Sequence, residues 1–362
     1  MNSTLSRHLL FVAIVVVTAA CVLMISITGV ARVLRTRSTR HDADARDAVH
    51  HAVLVVAAGE DDGSAASWLG SLARRDRDAA GAMIVGLLPK LQGEPAEVLV
   101  EIVRGYGSLD RAAGDLTSRS AVTRARAAWT LGLTRDHNDV EKVRPLLSDR
   151  SSEVRLAAVE TLGRLRDVDA AGPILDTLSP SGGRAGVPAV TVAEALMRLG
   201  GGIVDELRVA LADDDPARRD VAARVAGHQQ LIALTPHLRQ LLADDPSDVV
   251  RVSAAEALGR IGGIDDAAAL AATCAETEPS PLRRAAAAAL GELGHPAALP
   301  TLAALLGDRD RRLAEISASS LLEFGVEGRN VLDGVAADAE HGRAAAFALE
   351  LDRLRGEPRG AR

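Results

Sequence analysis

The chain reads VRLAAVETLG from Val154 to Gly163, and this phrase recurs along most of its 362 residues. Near-copies and looser copies place its closing position at residues 105, 132, 163, 197, 227, 259, 291, 322 and 351. Neighbouring closing positions are 27 to 34 residues apart. A two-helix unit of about this length stacks into a continuous array, because no single unit can bury its apolar face alone. The sequence therefore predicts an all-α fold, an α-solenoid.

Each repeat is interpreted as two helices. The second helix carries the phrase, and the first is an apolar stretch such as residues 143–147, 234–242 or 299–306. Apolar residues recur in both at spacings of three and four, which indicates one buried stripe per helix. Asp213 to Pro216 and Asp244 to Ser247 have the composition of a turn followed by a new helix. We expect eight to nine such helical hairpins.

The phrase and its preceding turn carry a family resemblance. An acid in the turn is followed by Val-Arg and then by a Leu-Gly ending, as in Asp149, Val154-Arg155 and Leu162-Gly163. This pattern resembles the HEAT repeat family over roughly residues 80–355, and the short unit resembles its phycobilisome-lyase-type subgroup. The resemblance implies that the second helices line the concave face. Three repeats depart from it, with Glu97, Ala189 and Ala314 at the arginine position.

The recurrent arginines admit two interpretations. They are Arg124, Arg155, Arg219, Arg251, Arg283 and Arg343. A ladder of basic side chains would suit an anionic partner. The resemblance implies instead that each arginine pairs with a turn acid and joins successive repeats. Such acids are present at Asp149, at Asp213 to Asp215, and at Asp244 and Asp245, so we favour the structural role.

An apolar segment near the start predicts one membrane span. Residues 9–30 are 22 residues without a charged side chain, and arginines follow at positions 32, 35, 37 and 40. A helix of this length reaches about 33 Å, which crosses a hydrocarbon core of about 30 Å. Because basic flanks stay in the cytoplasm, we expect a single-pass protein of the cell membrane with a cytoplasmic solenoid. A cleaved export signal, or a lipoprotein site at Cys21, is the alternative.

These patterns divide the chain into five segments. They are a short N-terminal segment (1–8), a transmembrane helix (9–31), a basic juxtamembrane segment with a helical cap (32–79), the solenoid (80–355) and a tail (356–362). Within the cap, residues 50–58 and 64–74 have helical patterns. The span would also make the lipid bilayer a partner, through residues 9–31.

The exposed stripe of the second helices is the candidate binding groove. Most side chains five and nine residues after each arginine position are charged. In three repeats these two positions form a Glu-Arg pair at i, i+4: Glu160–Arg164, Glu194–Arg198 and Glu256–Arg260. The full candidate set is Trp129, Glu160, Arg164, Glu194, Arg198, Arg224, His228, Glu256, Arg260 and Glu292. A merely solvated face is the competing interpretation. Trp129 is either a hot spot or a core residue.

Catalytic and metal-binding patterns are absent from the sequence. The chain has nine histidines, and none is followed directly by glutamate. Deoxyhypusine hydroxylases, which have a similar architecture, bind iron through repeated His-Glu pairs, and these are missing here. The two cysteines, Cys21 and Cys274, cannot form a thiolate metal site. We therefore expect no enzyme activity and no cofactor.

A membrane-anchored scaffold or adaptor is the leading functional hypothesis. Its solenoid groove would bind a protein partner, of which a membrane enzyme or a transporter is one class. The alternative is a prosthetic-group lyase or a subunit of one, as the resemblance implies. A nucleic-acid-binding module is a weaker alternative, because the formal charge is −7 and the stripe alternates acids and bases.

Overall fold

The computed structural model describes residues 47–179, 185–338 and 342–356. These residues form twenty α-helices and no strand, which confirms the all-α prediction. No helix among them has both the length and the apolar character needed to cross a bilayer. The predicted span, residues 9–31, lies outside the described residues. The chain divides into two compact units, Met1–Arg111 and Ala112–Arg362.

The first unit contains the helices that precede the main array. They are α1 (47–58), α2 (Ser64–Gly70), α3 (Arg74–Leu87) and α4 (Glu94–Gly105), followed by the start of α5 (Ser108–Asp115). Residues 71–73 separate α2 from α3, so the helix predicted over residues 64–74 is interrupted. The buried Tyr106 hydroxyl donates a 2.8 Å hydrogen bond to the Leu69 carbonyl and ties α4 to α2.

The second unit is built from alternating A and B helices, named for the first and second helix of each repeat. The A helices are α7 (Val140–Val143), α9 (Ala171–Asp176), α11 (Val204–Leu211), α13 (Thr235–Asp244), α15 (Ile264–Thr273), α17 (Leu299–Ala304) and α19 (Val326–Ala336). The B helices are α6 (Ala121–Gly132), α8 (Ser152–Leu165), α10 (Ala189–Leu199), α12 (Pro216–His228), α14 (Asp248–Ile261), α16 (Ser280–Leu293), α18 (Arg311–Leu322) and α20 (Arg343–Gly356). Each B helix packs against the next, forming one row.

Several A helices are shorter than the apolar stretches that predict them. The stretch at residues 143–147 begins at the last residue of α7 and continues as a 3₁₀ turn, Arg144–Ser148. Residues 299–306 divide in the same way into α17 and the turn Leu305–Gly307. Pro145 lies in the first turn of the 3₁₀ segment, where its missing N–H cannot continue α-helical hydrogen bonding.

Close approach of neighbouring B helices explains the glycine that ends the phrase. A Cβ built on Gly227 would lie 2.7 Å from the Ala257 Cα, and one on Gly259 would lie 2.7 Å from the Ala289 Cα. No real side chain tolerates contacts of that length. Glycine on one helix and alanine on the next therefore set the spacing of the row, and Ala-rich packing replaces the aromatic bulk that the chain lacks.

Candidate partner-binding face

The recurrent arginines lie at the start of the B helices and bridge to the following turn. Four of them make ion pairs across repeats: Arg124 with Asp149, Arg219 with Asp245, Arg251 with Glu278 and Arg283 with Asp308. The Arg219–Asp245 pair is bidentate at 2.7 and 3.0 Å. This confirms that these arginines hold repeats together and are not offered to a partner. We call these four pairs the arginine ladder.

The turn acids also organise their own turns. One Asp245 oxygen accepts the Ser247 N–H at 2.8 Å, and Asp149 accepts the Ser151 N–H at the same distance. Burial raises the pKa of Asp149, but hydrogen bonds from Arg124 and the Ser151 N–H outweigh it, so the pKa lies below its ordinary value. The hydrogen bond from Arg251 likewise lowers the pKa of Glu278.

Arg155 and Arg343 depart from the ladder. Arg155 donates to the backbone carbonyls of Asp149 and Ala185, in place of a carboxylate. The enlarged turn that follows, Ser179 to Pro188, contains no Asp or Glu, so the sequence supplies no turn acid for Arg155. Arg343 is exposed at the first position of α20.

All ten predicted groove residues lie on consecutive B helices, α6 to α16, and none is fully buried. Contacts join them from helix to helix. Arg164 of α8 lies over the Trp129 ring of α6, and Arg260 of α14 faces Glu292 of α16. Between these, Arg224 pairs with Asp220, which accepts the Ser253 hydroxyl from the next helix. We call this continuous surface the B face.

Two of the three predicted Glu-Arg pairs form, and the third does not. Glu160–Arg164 and Glu194–Arg198 are separated by 3.7 and 3.6 Å. Arg260 instead directs its Nε to a Glu292 oxygen 3.5 Å away on the neighbouring helix. The reason is the close packing of α14 on α16, which brings a carboxylate of the next repeat within reach. The prediction of a Glu256–Arg260 pair is therefore wrong.

Trp129 is neither core nor free surface. It is half-buried, and the Arg164 guanidinium carbon lies 5.9 Å from its ring centroid, a cation–π distance. Burial lowers the pKa of Arg164, Glu160 opposes this effect, and the positive charge of Arg198 adds to it. The Nη1 atom of Arg164 is buried and has no hydrogen-bond partner.

The far end of the B face carries an open cavity that the sequence did not reveal. Its volume is about 710 Å³, and it lies between α16 and α18. The larger side chains that line it are Glu292, Arg312, Glu315, Ile316 and Glu323. Glu323 directly follows α18, nine residues after Ala314, and this is the offset of Arg164 and Arg260 from the arginines of their own repeats. Extending the stripe by one repeat would have found it.

The thiol in the second unit has little reactivity. Cys274 is buried, its thiol contacts the Leu270 carbonyl, and burial raises its pKa to about 11. A thiol with this pKa is almost wholly protonated near neutral pH and is a poor nucleophile. Across the described ranges no cluster of three or more His, Cys, Asp or Glu side chains has the arrangement of a metal site.

A comparison with family models identifies the repeats. The model for HEAT repeats matches residues 84–184 and 204–290. The chain belongs to the HEAT repeat family. The model for the PBS lyase HEAT-like repeat matches residues 282–308, which overlap the end of the range 204–290. The curated proteins contain no match to the sequence.

Two solved structures of Kap121p have a similar fold. A triple mutant of Kap121p aligns with 83% of this chain and 41% of its own, with 14% identity and a TM-score of 0.51. Kap121p bound to Pho4p aligns with 81% and 38%, with 14% identity and a TM-score of 0.50. The CpcE–CpcF complex of phycocyanin lyase from Nostoc sp. PCC7120 has 19% identity and a TM-score of 0.34, over 67% of this chain and 94% of its own. This HEAT protein thus spans about two fifths of the Kap121p chains, and the likeness shows the fold alone.

Proposed function

We propose that the chain is a scaffold that binds a protein partner across its B face. The observation that carries the proposal is the division between two sets of charged residues. The ladder arginines are nearly buried and paired within the solenoid, whereas the B-face side chains are half-buried or exposed. Stacked repeats present such side chains as one extended surface.

The order of charges along the B face supports a protein partner over a nucleic acid. From α8 onward, the position nine residues after the arginine position is occupied by Arg164, Arg198, His228 and Arg260, and then by Glu292 and Glu323. A polyanion would be attracted at one end and repelled at the other. A protein segment with charges of both signs can match the whole row. Kap121p, whose fold is similar, has been solved bound to Pho4p.

A binding role also agrees better with the reactive groups than catalysis does. The buried Cys274 has a raised pKa, and His228 is exposed on the B face. Neither is arranged as a nucleophile with an adjacent base. We propose that the protein is not an enzyme. A chromophore bound to the purified protein, visible in its absorption spectrum, would favour the lyase-like alternative.

The scaffold is proposed to be tethered to the cell membrane through residues 9–31. The support is the uncharged run and the arginines that follow it. A tether raises the effective concentration of the solenoid near membrane partners, so a membrane enzyme or a transporter is a suitable partner class. Fractionation tests this part alone, because the full chain should resist extraction by high salt and be released by detergent.

Crosslinking in intact cells, followed by affinity capture and mass spectrometry, tests the binding face. Glu194 and Arg198 are exchanged for each other on α10, which reverses the local charge order and keeps the net charge. The matched control exchanges Asp205 and Arg208, an exposed ion pair on the A helix α11. We expect the B-face exchange to remove a specific partner and the α11 exchange to retain it. Equal capture with both variants would contradict the proposal.

A further inference from the structure

Arg164 and Arg198 differ from the ladder arginines in how their donors are used. Each ladder guanidinium donates to a carboxylate within 3.0 Å. The nearest carboxylate oxygens to Arg164 and Arg198 are 3.7 and 3.6 Å away, beyond hydrogen-bond length. Among the described residues neither guanidinium makes a hydrogen bond. Apart from the buried Nη1 of Arg164, their N–H groups are available to a ligand.

The burial of Arg164 makes its lack of a hydrogen-bond acceptor unusual. Its side chain is only 27% exposed, and its Nη1 atom is buried without a partner. A buried charged donor without an acceptor is costly, and most such donors in folded proteins are satisfied. The proximity of Arg198 disfavours the charge further, since the two guanidinium groups repel. An anion close to both groups would offset their positive charge and relieve this repulsion.

The surroundings define which anion fits. Glu160 and Glu194 lie beside the two arginines, so the four side chains carry no net formal charge. A dianionic or polymeric phosphate would be repelled by the two carboxylates, whereas a single carboxylate is repelled less. A carboxylate also matches the planar donor pair of a guanidinium. The exposed part of the Trp129 ring offers an apolar contact at the edge of this site.

We propose that Arg164, Arg198 and Trp129 form a subsite for one acidic side chain of the protein partner. The inference rests on the proposed function and names the chemistry recognised at one end of the B face. The partner would place a glutamate or aspartate over Arg164, with its carboxylate accepting hydrogen bonds from Arg164 and Arg198. The adjoining part of the partner segment would lie against the Trp129 ring.

Trp129 allows a direct measurement. The chain has two tryptophans, so a Trp68→Phe variant of the full protein in detergent makes Trp129 the sole indole fluorophore. The probes are two blocked pentapeptides, Ala-Ala-Glu-Ala-Ala and Ala-Ala-Gln-Ala-Ala, and inorganic phosphate. We expect the glutamate peptide to change Trp129 fluorescence at concentrations about tenfold lower than the glutamine peptide, as charge-assisted hydrogen bonds imply. Phosphate should compete weakly.

Matched variants decide whether the effect belongs to this subsite. Arg164→Gln should abolish the preference for the glutamate peptide. Arg208→Gln, which changes an exposed arginine paired with Asp205 on the A helix α11, should leave it intact. Equal responses to both peptides, no response to either, tighter binding of phosphate, or an equal loss in both variants would each overturn the proposal.

The two proposals fail in different ways. Partner capture that depends on the B face, together with no peptide preference at Trp129, would overturn the acidic-side-chain subsite alone. A peptide preference that requires Arg164, with no partner lost on exchanging Glu194 and Arg198 in cells, would overturn the proposed scaffold function and leave an acid-binding subsite.

Discussion

Glycine at the end of the repeated phrase fixes the distance between B helices. Gly227 and Gly259 each face the Cα of an alanine on the next helix. Where Met197 replaces this glycine, the side-chain amide of Gln229 donates to the carbonyls of Leu196 and Met197, at 3.1 and 2.9 Å. A single residue type thus controls how two repeats meet, and its replacement requires a different contact.

Gly259→Ala is expected to destabilise the solenoid by roughly 1–3 kcal/mol, because its Cβ would overlap the backbone of α16. Chemical denaturation followed by circular dichroism measures the change. Gly334→Ala is the control, since Gly334 lies in helix α19 with no atom within 4 Å of a new Cβ. It should be neutral or stabilising by up to about 1 kcal/mol. If Gly259→Ala were stabilising, α14 and α16 would have to lie farther apart than the structure places them.

Some side-chain contacts could be predicted at this scale and others could not. The pairing of Arg124 with Asp149 is predicted from the family pattern, because both residues recur at fixed positions. The contact of Arg260 with Glu292 is not, because it depends on the distance between helices that are distant in sequence. The half-burial of Trp129 depends in the same way on the neighbouring helix α8.

At the scale of elements, the arginine ladder joins four of the B helices, α6, α12, α14 and α16, to the turn of the following repeat. Its pairs are shielded: the Arg219 and Asp245 side chains are 10% and 2% exposed. Removing one member of a shielded pair leaves the other buried without a partner, which costs more than the pair itself contributes. The ladder should therefore be sensitive to single substitutions and tolerant of paired ones.

A double-mutant cycle on Arg219 and Asp245 tests this. Arg219→Met alone should lower the free energy of unfolding by about 2 kcal/mol or more, and adding Asp245→Leu should recover part of the loss. The control is the exposed α18 pair Arg311–Glu315, whose coupling should be at most about 0.5 kcal/mol. Additive losses at Arg219 and Asp245 would show that the pair is not coupled.

The ladder also predicts the pH dependence of stability. The pKa of Glu278 is lowered from about 4.5 by Arg251, so its contribution is fully present above that value in the folded protein. Stability should fall as the pH drops below about 4.5 and through the lowered pKa, because the unfolded state binds the proton first. Denaturation at several pH values should show this loss, and Arg251→Gln should reduce it. A pH dependence unchanged by Arg251→Gln would contradict the assignment.

The lengths of the A helices could be predicted only in part. Apolar spacing correctly places the helix within residues 234–242, which lies almost wholly in α13. The same spacing does not distinguish an α-helix from a 3₁₀ turn, so it overextends the helices around Pro145 and at residues 299–306. The repeat length limits the combined length of the two helices in a repeat, but it does not determine where the first helix ends.

At the scale of the whole molecule, periodicity predicts the architecture because a repeated sequence demands a repeated structure. The all-α array and its two-helix units follow from the spacing of the phrase alone. The identity of the partner cannot be predicted in this way, because the charges of the B face differ from one repeat to the next. Arg164, His228 and Glu292 occupy equivalent positions and carry different charges, and only their order in space gives a recognisable surface.

Photo-crosslinking tests the central claim, that the B face binds the protein partner. A photoreactive amino acid is placed at Arg224 on the B helix α12 or at Val209 on the A helix α11, in full-length protein in cells. Both side chains are exposed and lie in one repeat. A discrete adduct with one protein from position 224, and none from position 209, is the predicted result. Adducts from position 209 alone, or equal adducts from both positions, would contradict the account.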